Sequence, residues 1–217
     1  MGAAHAQKRV GEAVVVQKQV LRVAGSAANQ INVGEAMMRD DTVQTGIESA
    51  ARFVMADSTN LSLGPNASLT LDSTVFNDDH SYRDVAIRMT TGAFRFVTGH
   101  SEKTAYKIST PLATIGVRGT ILDILTVRNS TTVVLQEGGS KVCAPDGQCL
   151  ELINPGDTAI ITLGDNGKFK IKKANIPPWT FAKTCASTAG LCSVNKYADD
   201  SPTVTPDVQD GGMLCGR

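Results

Sequence analysis

The chain has 217 residues, 41% of them hydrophobic and 5% aromatic, and its 21 basic and 21 acidic side chains cancel. That length suits one sizeable core with a tail. The balanced charge, with no Lys/Arg cluster, argues against nucleic acid or an anionic membrane as partner, because both need a one-sided positive field. No apolar run reaches the roughly 18 to 20 residues that cross a bilayer, the longest lying at Ala13 to Val16 and around Ile121 to Val127, so no membrane span is expected.

At the N-terminus, Ala4-His5-Ala6 has the small-x-small pattern that signal peptidase accepts. Residues 1–9 therefore read as the remnant of a signal-peptide cleavage region, with a disordered N-terminus as the alternative. Met1-Gly2 does not open a myristoylation motif, since Ala6 stands where Ser or Thr is required.

From Val10 to Ile176 the pattern is period-two alternation. Leu21 and Val23 flank Arg22, Phe53 and Met55 flank Val54, and Leu61 and Leu63 flank Ser62. Leu69 and Leu71, then Val85, Ile87 and Met89, continue it; Phe94 and Phe96 straddle Arg95, and Tyr106 and Ile108 straddle Lys107. Phe169 and Ile171 alternate with Lys168, Lys170 and Lys172, which should face water. Turn signals at Gly64-Pro65-Asn66, Gly138-Gly139, Asn154-Pro155-Gly156 and Asn166-Gly167 separate the runs. Asn166-Gly167 predicts a two-residue hairpin turn with positive φ at both centres. A short helix over Gly46 to Ala51 is the single helical candidate in this span. The fold class expected is all-β, either a solenoid-like or rolled arrangement of short strands or a β-sandwich.

After Asn175 the character changes to a Cys-containing, largely irregular tail, residues 177–217, too poor in apolar side chains to offset an ordering cost of roughly 1 to 2 kcal/mol per residue. Trp179 and Phe181 are expected to anchor its start, leaving the rest disordered or loosely packed. The domain predicted is thus residues 10–176.

Of the five cysteines, Cys143 and Cys149 bracket the turn-forming Ala-Pro-Asp-Gly-Gln, and Cys185 and Cys192 bracket a loop of small residues. Both pairs are candidate disulfides; unpaired thiols in a cytosolic protein are the alternative. Cys215 is left over, with three roles open to it: a free thiol, a replacement in one of these pairings, or a bridge to another molecule such as a second copy. The spacing lacks the tighter Cys pairs and matching ligands of a zinc site.

Four ordered blocks carry a family resemblance: Asp41-Thr-Val-Gln-Thr-Gly46, Asn60-Leu-Ser-Leu-Gly-Pro-Asn-Ala-Ser-Leu69, Gly92-Ala-Phe-Arg-Phe-Val-Thr-Gly99 and Thr110-Pro-Leu-Ala-Thr-Ile-Gly-Val-Arg-Gly-Thr120. From about Asp40 to Gly156 the chain resembles the FecR domain, named for a regulator of iron-citrate uptake. The resemblance implies a β-rich, non-catalytic module, often the periplasmic end of a membrane-spanning sigma-factor regulator. The family pattern often has Asp-Gly-Thr where this chain has Asp57-Ser58-Thr59, so a different backbone geometry is expected at that turn.

The family motif Gly116, Arg118, Gly119, Thr120 is the candidate site. Arg118 has two readings: a strand tie bonding turn carbonyls or an acid such as Asp123 or Glu137, or a contact for a partner's carboxylate, approached across the neighbouring glycines. The two glycines should mark a bulge or bend. Nucleophile elbows, phosphate loops, dinucleotide fingerprints and zinc-protease motifs are missing from the sequence. Asp78-Asp79-His80 reads as a solvated loop, with weak metal binding as the alternative, Asp40-Asp41 as a turn rather than an acid/base pair, and Met37-Met38 as core filling. The expectation is a periplasmic or secreted protein, not an enzyme and with no cofactor or metal. It would bind another envelope protein as a scaffold or sensory module. A structural or adhesive module linked through its tail, or a component of sigma-factor signalling, is the alternative.

Overall fold

The computed structural model describes residues 8–76, 82–100 and 106–184. In chain order the strands are β1 (Arg9–Gln17), β2 (Val20–Ala24), β3 (Ala27–Gln30), β4 (Ala36–Met38), β5 (Thr42–Thr45), β6 (Ala50–Met55), β7 (Asn60–Leu63) and β8 (Ser68–Phe76). There follow β9 (Tyr82–Val97), β10 (Tyr106–Ser109), β11 (Thr114–Val127), β12 (Ser130–Cys143), β13 (Cys149–Leu152), β14 (Thr158–Leu163) and β15 (Phe169–Ala174). A single helical turn, α1 (Phe181–Thr184), closes the described chain.

Among the described residues all the strands belong to one 15-stranded sheet. Neighbours are antiparallel, except that β10 runs parallel to β9. What rolls this sheet is a set of glycines in its longest strands. The first part of β9 pairs with β8 and β10, its last part with β7 and β11. The change comes at Gly92, φ 103°, where a Cβ would lie 2.4 Å from the Cα of Ala67. β11 turns from β10 to β9 across a register shift that contains Gly119, φ 59°. β12 turns from β14 to β13 beside Gly138, where a Cβ would stand 1.9 Å from the Gly119 carbonyl oxygen. The two glycines serve different needs at this one bend: Gly138 has no room for a side chain against the Gly119 backbone, and Gly119 supplies the positive φ of the bulge.

The sheet closes over one core. Phe53, Leu61, Leu63, Phe94 and Phe96 meet Leu69, Ile87, Ile108 and Ile115 within it, which is where the alternation placed them. Among the described residues β3, β4, β13 and β15 each pair on one side only, so the roll is open. Lys170 and Lys172 stand exposed on the β15 edge, where charge discourages further strand pairing.

Three local expectations are corrected. Gly46 to Ser49 form a turn that runs straight into β6, because Gly46 N–H and Ser49 Oγ are tied to this corner and Ala50 and Ala51 are buried in the sheet. In β2 the buried residue is Val20 rather than Leu21 or Val23, since Arg22 uses its part-buried position for ion pairs. In the β14–β15 hairpin only Gly167 has positive φ, 72°. Asn166 instead accepts the Lys168 N–H through its side chain, in a longer loop closed by Gly164 N–H to Lys168 O. The anchor expected of Trp179 and Phe181 is present, with Phe181 fully buried.

Candidate functional site

The motif in the first half of β11 divides its labour. Thr120 is buried; its N–H donates to Thr98 Oγ1 at 2.8 Å and its carbonyl accepts the Thr98 N–H at 3.0 Å, fixing the bend to the end of β9. Gly119 is the bulge. Gly116 stays in regular register, opposite Lys107 on one side and Lys141 on the other, so a bulge at this second glycine is not found. Arg118 is exposed, and its guanidinium makes no hydrogen bond or ion pair with any described residue. The strand tie considered for it is made by another arginine: Asp123, wholly buried, holds Arg95 through bonds of 2.7 and 3.0 Å. Strand phase explains the switch. Arg118 precedes the bulge and Asp123 follows it, so the acid meets Arg95 on β9, its direct cross-strand neighbour.

Arg118 borders a cleft of about 630 Å3 together with Gly116, Gly139, Lys141, Glu151 and Ile153. Register lines these residues up. Lys107, Gly116, Lys141 and Glu151 stand directly opposite one another on four neighbouring strands, and Arg118 stands opposite Gly139. Two missing side chains thus leave bare backbone between three cations and one acid. Ile153, 65% exposed, adds an apolar contact at the rim. Such a surface can hold a carboxylate between guanidinium and ammonium groups, and it adjoins the unpaired edge of β13.

Behind the cleft, Tyr106 reaches into a buried polar knot. Its hydroxyl bonds Asp57, and also Thr59 Oγ1 at 2.7 Å. Thr59 Oγ1 in turn accepts the Gly99 N–H at 3.1 Å. Gly99 rides over this turn so closely that a Cβ would lie 2.1 Å from the Asp57 carbonyl oxygen. Ser58 does not take a different geometry: its φ is 67°, the left-handed conformation that glycine favours. The hydrogen bond from Thr59 N–H to Asp57 Oδ1 at 3.0 Å holds it there.

Two further acids act as turn fasteners. Asp41 accepts the Met38 N–H and the Arg22 guanidinium. Burial works against the Arg22 charge, but its bonds to Glu35 and Asp41 outweigh that and raise its pKa. Glu35 lies below its ordinary value, first because the Asn32 N–H donates to it and then through Arg22. Burial would raise Asp157, yet the Lys173 ammonium at 2.8 Å and the N–H groups of Ile153 and Asn154 bring it below the usual carboxylate value. Asp40, at φ 68°, sits in a turn and Met37 is core.

The sulfurs of Cys143 and Cys149 are 2.08 Å apart across the start of the β12–β13 hairpin. Cys185, Cys192 and Cys215 lie outside the described residues, as do Asp78, Asp79 and His80. Among the described residues no group of three or more His, Cys, Asp or Glu is placed to hold a metal ion, and no helix is long and apolar enough to cross a membrane. Sequence reasoning missed the Arg95–Asp123 pair and the contributions of Lys141, Glu151 and Ile153. The signal for the first was there: a carboxylate inside the apolar run Ile121 to Val127 needs a buried partner.

The FecR family model, described as FecR protein, matches residues 41–139. No curated protein matches the chain at a significant level. Similar solved structures include two of a candidate anti-sigma factor from Parabacteroides distasonis ATCC 8503, at 1.65 and 2.50 Å resolution. They share 15% and 16% identity with this chain, with TM-scores of 0.48 and 0.49; each comparison covers 60% of this chain and 58% of that one. The matched span runs from the Asp41 turn through both glycine corners to Gly139 on the cleft floor, and over it the chain is similar to the FecR family.

Proposed function

We propose that this chain is a non-catalytic FecR-type β module of the bacterial envelope that docks another protein, gripping an acidic, extended segment in the cleft beside Arg118. The observation that carries this reading is the exposed guanidinium of Arg118, which no described residue neutralises, set beside two glycines that open the backbone to a partner. An extended segment could pair along the strand-free edge of β13, taking the place of the Lys173 ammonium that donates to the Glu151 carbonyl at 3.4 Å, while its carboxylate meets the guanidinium in a bidentate contact. Because that contact is solvent-exposed and charged, added salt should weaken it.

The test is binding of fluorescent acidic peptides, and their basic counterparts, to the parent and to Arg118→Ala. The variant should melt like the parent, within about 0.5 kcal/mol, while acidic-peptide binding weakens at least 10-fold, about 1.4 kcal/mol. Lowered stability with unchanged binding would return Arg118 to the role of strand tie.

The pairing of Cys143 with Cys149 as a disulfide supports an oxidising compartment, periplasmic or secreted. Mass spectrometry of alkylated protein from its native host should find this pair oxidised; two alkylated thiols would remove that support. The FecR match favours a second reading, participation in sigma-factor signalling. A sigma-factor gene and an outer-membrane receptor gene beside this one, with target induction lost in an Arg118→Ala strain, would select it.

A further inference from the structure

The outer face of the roll carries a second feature, away from the cleft. Ala50 on β6 and Ala93 on β9 are both buried there, and their short side chains leave a hollow bounded by Val15 and Leu125. Phe181 fills it completely, with Trp179 packed alongside. The hollow also reads the backbone of its occupant. Phe181 N–H donates to Asp123 Oδ2 at 3.0 Å, and the Arg95 guanidinium lies 5.5 Å from the centre of the Phe181 ring.

Three observations separate this contact from ordinary core packing. The cluster stands apart from the main core. Its cover, residues 177–184, comes from beyond the span 41–139 that the FecR family accounts for, whereas the recognising groups Ala50, Ala93, Arg95 and Asp123 lie within it. The cover is held through one helical turn after an exposed run in which Ile176 is 83% exposed. A buried ion pair is also a poor way to gain stability compared with apolar side chains of similar size, while it is well suited to discriminate what sits on it.

We propose that this hollow is a docking site for an aromatic side chain whose own backbone N–H is free to meet Asp123. Residues 177–184 are its built-in occupant, a releasable strap that a partner segment of the same chemistry must displace. The tether keeps the strap at high effective concentration, so a competing segment gains access only when the strap is weakened or the competitor is itself held nearby.

Trp179 is the single tryptophan of the chain, and so reports the strap alone. In a urea titration of the full chain, Trp179 emission should shift at a lower urea concentration than the loss of the far-UV β signal. A labelled peptide with the sequence of residues 176–184 should bind full-length Phe181→Ala at least 10-fold more tightly than it binds the parent, and lose that binding when its own phenylalanine is replaced by alanine. Coincident urea midpoints, a peptide that fails to bind the folded variant, or a Phe181→Ala chain that no longer folds would each overturn the proposal, the last because the segment would then be core and not cover.

Discussion

Replacing Asp123 with alanine should be among the most damaging single changes in this fold. The carboxylate is fully buried, and it accepts from Arg95 Nε and Nη2, from Gln136 Nε2 at 2.9 Å and from Phe181 N–H. Removing it leaves the guanidinium of Arg95, whose side chain is only 11% exposed, without a counter-charge. Breaking one partner of a buried pair typically costs about 3–5 kcal/mol. The orphaned Phe181 N–H adds to the damage, though not additively, because the donors share one acceptor. Urea unfolding followed by far-UV circular dichroism measures this as a fall in midpoint at constant m-value. Asp72→Ala is the control: its pair with Arg88 spans 2.6 Å but both side chains are largely exposed, at 44% and 60%, so the loss should stay below about 1 kcal/mol. A double change, Arg95→Met with Asp123→Leu, should recover most of the stability, since it removes both charges together. If Asp123→Ala costs no more than Asp72→Ala, the buried pair is not what binds β9, β11 and the C-terminal strap.

At the Asp57 turn, Ser58→Gly should stabilise the protein by about 0.5–1 kcal/mol, because relief of left-handed strain worth about 1–2 kcal/mol exceeds the added unfolded-state entropy; an unchanged or lower urea midpoint would refute this. Gly99→Ala should do the reverse by about 1–3 kcal/mol, as its methyl group must displace the Asp57 backbone, and a parent-like melting curve would show that the corner yields freely. For Asp157 the pKa is lower folded than unfolded, so its contribution is complete above the unfolded carboxylate value, about 3.9, and fades as pH falls through the folded value. Asp157→Asn should therefore cost about 1–3 kcal/mol at pH 7, with the gap to the parent narrowing below about pH 4 in urea midpoints measured across pH; a gap independent of pH would assign the loss to shape rather than charge.

Alternation in the amino-acid sequence by itself determined the strands and the inward set from Phe53 to Ile115, because period two is a local property of extended backbone. The motif blocks were legible through their glycines: Gly92 and Gly99 are demanded by backbone that passes too close for a side chain, and Gly119 by its positive φ of 59°. Tertiary structure alone decided the partners. A bulge at Gly119 changes the phase of β11, so Asp123 was withdrawn from Arg118 and given to Arg95, while Arg118 was left facing solvent beside Lys141 and Glu151. Nothing local records such a phase change, nor that the alanines at 50 and 93 would stand together as a hollow for Phe181. Cross-strand neighbours are set by register over the whole sheet, and register is a property of the assembled roll.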